Sequence, residues 1–210
     1  MNKTTSKYYP WVVVALLWGV ALLNYMDRQM LSTMKESMQL DISELQTAEN
    51  FGRLMAVFLW IYGLMSPFAG AIADRVNRKW LIVISLFVWS AVTYGMGYAN
   101  TFTEIYWLRA LMGVSEALYI PAGLIADWHS DKTRSLAVGI HMTGLYTGQA
   151  IGGFGATVAA SYTWHTAFHW FGLIGIAYAL LLVLCLRENP NHNVVKPNVE
   201  TNKVEKESIL

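Results

Sequence analysis

The chain has 210 residues, of which 55% are hydrophobic and only 14% charged, with a net charge of +1. Soluble domains carry charge on about a quarter of their residues, so an ordinary water-soluble domain is excluded, and the near-neutral balance gives no reason to expect a nucleic-acid partner. The single cysteine, Cys185, excludes an internal disulfide framework.

Residues 1–10 are polar and read as a short cytoplasmic segment. The apolar run that follows is too long for a signal peptide and has no small-residue cleavage site, so it reads as a retained span. Crossing a bilayer takes about 20 residues of helix. Six runs are long enough: 11–33, 51–73, 80–99, 102–126, 134–159 and 164–186. Backbone exposed to lipid must satisfy its own hydrogen bonds, so all six are expected to be helices. Pro67, Pro121, Gly148, Gly152 and Gly153 fall inside these runs, where membrane helices tolerate them. The connection 34–50 carries Glu36, Asp41, Glu44 and Glu49 and reads as a solvated loop. Residues 187–210 turn abruptly polar and read as a disordered cytoplasmic tail or a truncated linker. The expected fold class is an all-α membrane protein, with 11–186 as its six-helix transmembrane domain.

Basic residues set the orientation. With the N-terminus inside, eleven Lys and Arg lie on the cytoplasmic side and only Lys35 and Arg53 outside. That bias places both termini in the cytoplasm of a plasma (inner) membrane. The turn 70–79 contributes most to it, with Gly70, Asp74, Arg75, Arg78 and Lys79 packed between two apolar runs. Gly123 and Asp127 repeat the spacing of Gly70 and Asp74, a shared way of ending a helix at the inner surface.

Asp27, Arg28, Arg109 and Glu116 lie within the spans. An ionisable group at the bilayer centre costs about 2.5–3.5 kcal/mol on insertion scales, so it needs a partner or a wet cavity. Asp27 and Arg109 are each roughly 9–10 Å below the outer surface at about 1.5 Å per residue. Glu116 follows Arg109 by seven residues, two helical turns, and shares its face. The four charges either brace the bundle by neutralising one another, or the arginines attract an anion while Asp27 and Glu116 exchange protons. A buried carboxyl whose arginine is taken by substrate changes its protonation, which couples a solute to a proton gradient.

The loop Gly-x-x-x-Asp-Arg-x-x-Arg-Lys at 70–79 resembles the signature loop between helices two and three of the major facilitator superfamily. Asn24-Tyr-Met-Asp-Arg28 is similar to the first-helix motif of its anion:cation symporters. The stretch from Arg109 through Glu116 to Pro121-Ala-Gly resembles that family's fourth helix. The resemblance implies one half of a transporter bundle, made of two inverted three-helix repeats. In the proton-coupled sugar-acid (hexuronate) carriers of that family, the positions of Asp27 and Glu116 are proton sites, and those of Arg28 and Arg109 serve anion binding or gating. The same resemblance puts Tyr62 and Gln149 in the substrate cavity and makes 70–79 the gating loop. Spinster-like lipid and lysolipid carriers share nearly the same motifs. A non-transporting scaffold or truncated product is the alternative from another class.

The implied substrate is a small organic anion. The implied partners are the bilayer and a second six-helix half, from another chain or from a copy of this one. No cofactor is expected beyond the coupling proton. His165 and His169 have the i, i+4 spacing of a metal pair but no third ligand, so no metal site is expected. His141 reads as hydrogen-bonded packing, and the many aromatic residues as an interfacial belt. No nucleophile elbow, phosphate loop or metal triad occurs, so no enzyme is expected.

Overall fold

The computed structural model describes residues 7–189, so the expected terminal segments at 1–6 and 190–210 lie outside the described residues. Among those residues the chain forms nine α-helices and one 3-10 turn, with no strand. Helix α1 is Tyr9–Thr33, with Pro10 in its first turn, where a missing N–H breaks no helical bond. Helix α2 is Lys35–Asp41, α3 is Ala48–Ala73 and α4 is Arg78–Met96.

The run 102–126 is not one helix. It divides into α5 (Phe102–Ala117) and α6 (Pro121–Trp128). Proline cannot donate to the helix ladder and disfavours helical backbone in the residue before it, so a helix stops short of Pro121 and another starts there. Thr101 and Glu104 fix the start of α5 as a reciprocal capping box. The run 134–159 likewise divides, into α7 (Asp131–Gly152) and α8 (Gly155–Ser161). Helix α9 is Trp164–Cys185.

By length and composition α1, α3, α4, the α5–α6 stretch and α9 are able to cross a membrane. The expected fifth span is not among them. Helix α7 is long enough but more polar: it opens on Asp131, Lys132 and Arg134 and carries Thr143, Thr147, Gln149 and four glycines.

The connection 34–50 is also more than a solvated loop. Met38, Ile42 and Leu45 are at most 1% exposed, because their spacing places them on one face of α2 and the 3-10 turn Ser43–Gln46. Trp164 Nε1 donates to Asp41 Oδ2 at 2.6 Å, which ties this segment to the start of α9.

Helix α1 packs along α7, α3 along α5, and α4 along α9, with α4 also against α5. Small residues let these backbones approach, as is common between membrane helices. Gly144, Gly148 and Gly152 recur once per turn on α7. A Cβ at Gly144 would come within 2.7 Å of the Trp18 carbonyl oxygen, and one at Gly152 within 2.7 Å of that of Met26. At Gly148 it would run into the Leu22 carbonyl oxygen. On α5, Gly113 brings the Phe58 carbonyl of α3 equally close, at 2.8 Å from such a Cβ. Leu59, Trp60, Leu64 and Phe68 of α3 are 62–71% exposed. At about 25 cal/mol per Å², that face is costly in water and suits lipid or a further layer of helices.

Candidate functional site

The centre of the site is an ion pair between α1 and α5. Arg28 donates from Nε at 2.8 Å and lies 2.6 Å away through Nη2, both toward Glu116 Oε2. The Glu116 side chain has no exposed surface, whereas that of Arg28 is 23% exposed. The guanidinium carbon lies 5.0, 4.8 and 5.1 Å from the ring centres of Tyr25, Phe58 and Tyr62. Such contacts add about 0.5–2 kcal/mol each when desolvated. Both bonds use one oxygen, and the Asn24 side chain faces the same carboxylate from one turn earlier on α1.

Arg28 and Glu116 line a cavity of about 160 Å³ together with Asn24, Tyr62, Tyr119 and His141. Asn24 precedes Arg28 by one turn and so shares its face. Its side chain faces the Glu116 carboxylate, and His141 faces the Leu17 backbone of α1 as a hydrogen-bonded packing residue.

Arg28 also borders a second cavity, of about 200 Å³, with Arg109, Met55, Phe58 and Leu59. Arg109 is buried, its guanidinium carbon 4.5 Å from the Phe58 ring centre. Its Nη1 reaches only Met112 Sδ, at 3.1 Å, a weak acceptor, and its Nε has no partner. The ion pairs among the described residues involve Arg28, Arg53, Arg78 and Arg134, not Arg109. A buried cation without a carboxylate carries a desolvation cost of several kcal/mol, and an anion between Arg28 and Arg109 would offset it.

The other expected residues are placed differently. Asp27 turns from the cavity toward α4, where Oδ2 accepts from Thr93 Oγ1 at 3.3 Å. Gln149 is exposed and lines neither cavity; Leu145, one turn earlier on α7, lines the first. Phe58 and Tyr119 were absent from the expected site. Both are aromatic and lie well inside their segments rather than in an interfacial belt, and Phe58 precedes Tyr62 by one turn. That spacing was the available signal. His165 stacks on Trp164, and His169 packs on Tyr94 and Tyr98.

At the basic turn, Gly70 is half-buried near the end of α3, and Asp74 and Arg75 are exposed. Arg78 Nη1 lies 2.9 Å from both carboxylate oxygens of Asp127 on α6. It reaches them across Gly123, where a Cβ would come within 2.8 Å of its guanidinium. The Lys79 ammonium donates to the Val183 carbonyl at 2.8 Å. Three of the four orphan N–H groups at the start of α4 are satisfied from outside the helix. Asn77 Oδ1 takes Trp80, while the Glu188 carboxylate takes Arg78 and Lys79 at 3.3 and 2.9 Å. The residues just past α9 are thereby docked rather than loose, and Asn189 Nδ2 bonds the Asp127 carbonyl beside them. Glu188→Ala should lower stability by about 1–2 kcal/mol, the usual cost of a lost cap, read as a lower thermal midpoint in detergent. An unchanged midpoint would show that Asn77 alone suffices.

Residues 17–209 match the sequence profile of the Major Facilitator Superfamily. Human protein spinster homolog 1 is 31% identical over 189 residues, covering 85% of this chain and 35% of that protein. The probable galactarate/D-glucarate transporter GudP of Bacillus subtilis is 28% identical, with 87% and 42% covered. The D-galactonate transporter of Escherichia coli is 26% identical, with 81% and 40% covered. The crystal structure of a bacterial homolog of the human lysosomal transporter Spinster, inward-facing and unoccupied, superposes with a TM-score of 0.77 at 26% identity, covering 90% of this chain and 45% of that one. This chain thus spans less than half the length of each of these relatives. With its long apolar helices and this match over most of its length, the chain belongs to the Major Facilitator Superfamily of membrane transporters.

Proposed function

We propose that this chain forms one half of a proton-coupled secondary transporter for an organic anion such as a sugar acid. The observation that carries the reading is the Arg28–Glu116 pair on an open cavity, beside a buried Arg109 with no carboxylate. An anion entering between the arginines competes with Glu116 for Arg28, and the displaced carboxylate then takes a proton. Arg28, Arg109 and Tyr62 are the proposed substrate contacts, Glu116 is the main proton site, and Asp27 is a second one behind it. Gln149 would join the cavity only after a rearrangement of α7.

The proposed membrane domain has six crossing segments, the fifth made of α7 and α8. Exchanging the first three segments with the last three maps the pairing α1 with α7 onto that of α5 with α3, and α4 with α9 onto itself. That symmetry supports two inverted three-helix repeats. The exposed apolar face of α3 supports a second half as partner, and the basic turn supports cytoplasmic termini in a plasma membrane, with 70–79 acting as a gating loop.

A Spinster-like carrier of lipids or lysolipids is the second reading. The apolar part of the cavity lining, including Val138, Met142 and Leu145, favours it. The test is uptake of sugar acids, monocarboxylates and lysolipids by proteoliposomes of the intact carrier that contains this chain. Arg109→Ala should reduce anion uptake at least about 30-fold, in line with losing one partner of a buried charged contact. Undiminished uptake in Arg109→Ala would remove Arg109 from the substrate contacts, and no solute moved by the wild type would favour a scaffold.

A further inference from the structure

We propose that Phe58 is a positioning residue that holds the Arg28 and Arg109 guanidiniums over one ring and so presents both charges to an incoming anion. This rests on the transporter reading above and adds an apolar side chain to its working parts. Both guanidinium carbons lie over the Phe58 ring, 4.8 and 4.5 Å from its centre. The same three residues, with Met55 and Leu59, line the cavity of about 200 Å³. Phe58 is 2% exposed, and its ring stacks on that of Tyr62, one turn later on α3, with the centres 6.0 Å apart. Its backbone is held as well. Gly113 of α5 lets the Phe58 carbonyl oxygen come within 2.8 Å of where a Cβ would sit. Gly113 lies one turn beyond Arg109 and shares its face. The ring is therefore fixed against α5 beside the cation it serves.

The two arginines depend on this ring unequally. Arg28 also has Glu116 and the rings of Tyr25 and Tyr62. Arg109 makes no ion pair among the described residues, and its Nη1 reaches the Met112 thioether at 3.1 Å. A carboxylate in place of the ring would hold Arg109 firmly. It would also cancel the charge and occupy the N–H groups that a substrate carboxylate needs. An aromatic face attracts a cation through its quadrupole and leaves the net charge intact, and the attraction grows as water is removed. A thioether is only a weak acceptor, easily displaced by an anion. Phe58 and Met112 thus keep Arg109 in place without competing for it.

The test uses the intact carrier containing this chain in lipid nanodiscs, titrated calorimetrically with D-galactonate and with D-glucarate. The anion that the wild type binds more tightly then serves for every variant. Replacing Phe58 by mono-, di- and trifluorinated phenylalanine, through nonsense-codon suppression, draws electrons from the ring face and hardly changes its size. Anion affinity should fall at each step, reaching a loss of about 10-fold with the trifluorinated ring. A side chain that merely fills space gives a level series. Phe58→Leu should also weaken binding about 10-fold, while anion exchange at saturating substrate keeps its wild-type rate. The proposal alone is overturned if affinity stays level or rises along the fluorine series. It is likewise overturned if Phe58→Leu slows saturated exchange without changing affinity, or if Arg109→Ala binds the anion as tightly as the wild type. Those results leave the anion-carrier reading standing on Arg28. If Arg28→Ala also binds as well as the wild type does, or if the wild type binds neither anion, both readings fall together.

Discussion

Glu116→Gln should leave anion exchange running and abolish accumulation driven by a proton gradient. Glutamine keeps the size of glutamate and an acceptor oxygen for Arg28, so the site should hold its shape. It carries no charge and no transferable proton. In the wild type, Arg28 is neutralised at 2.6–2.8 Å by a carboxylate that has no exposed surface. When substrate takes Arg28, that carboxylate is left buried and unpaired, a state costing several kcal/mol, and protonation removes the cost. One proton moving down two pH units is worth about 2.7 kcal/mol, enough to accumulate a co-transported anion about 100-fold. In Glu116→Gln the ratio should fall to about one, while counterflow between internal and external anion persists. Labelled-anion uptake under an imposed pH gradient, with counterflow in the same vesicles, measures both. Uphill uptake that survives the substitution would remove Glu116 from the coupling mechanism.

The largest structural effect is expected at Gly148. Gly148→Ala places a methyl group against the Leu22 carbonyl oxygen, and neither side can yield without moving helix backbone. Overpacking of a well-filled interface costs about 1–3 kcal/mol, and contact with backbone rather than a flexible side chain puts this site at the upper end. Gly139 lies on the same helix with nothing within 4 Å of its Cβ position. Gly139→Ala should therefore leave the thermal midpoint in detergent nearly unchanged, while Gly148→Ala lowers it by several degrees. Equal midpoints would mean that α1 and α7 are not pressed together as described.

Hydropathy located the long helices well because an apolar run and a membrane-length helix are nearly the same signal. The expected run 51–73 corresponds to Ala48–Ala73, and 164–186 to Trp164–Cys185. Interruptions inside such runs were harder to see. Pro121 was read as a tolerated kink, yet proline at a first helical position marks a new start, and Glu116 therefore stands in the last turn of α5. The buried face of α2 was hidden among acidic neighbours, although Met38, Ile42 and Leu45 have helical spacing. At the site, the sequence brought Asp27, Arg28, Arg109 and Glu116 to one region but did not show who pairs with whom. Pairing depends on how far each helix is rotated about its axis, and apolar runs hydrophobic on all sides do not encode that angle. The same lack of an angular signal kept Phe58, Asn24 and His141 out of the expected site.

The close pairing of backbones also determines where the molecule can yield. Helices α1 and α7 are keyed together by glycines, and so, at Gly113, are α3 and α5. Sliding within either couple would drive carbonyl groups into neighbouring backbone. The cavity instead follows the seam between the couples, with walls from α1 and α7 on one side and α3, α5 and α6 on the other. Seams held by side chains alone are where small shear displacements of packed helices are cheapest. The Arg28–Glu116 contact crosses this seam, as does the bond from the Tyr119 hydroxyl to the Leu17 carbonyl, so on the proposed function a solute that draws the guanidinium away would loosen one of the polar ties between the couples.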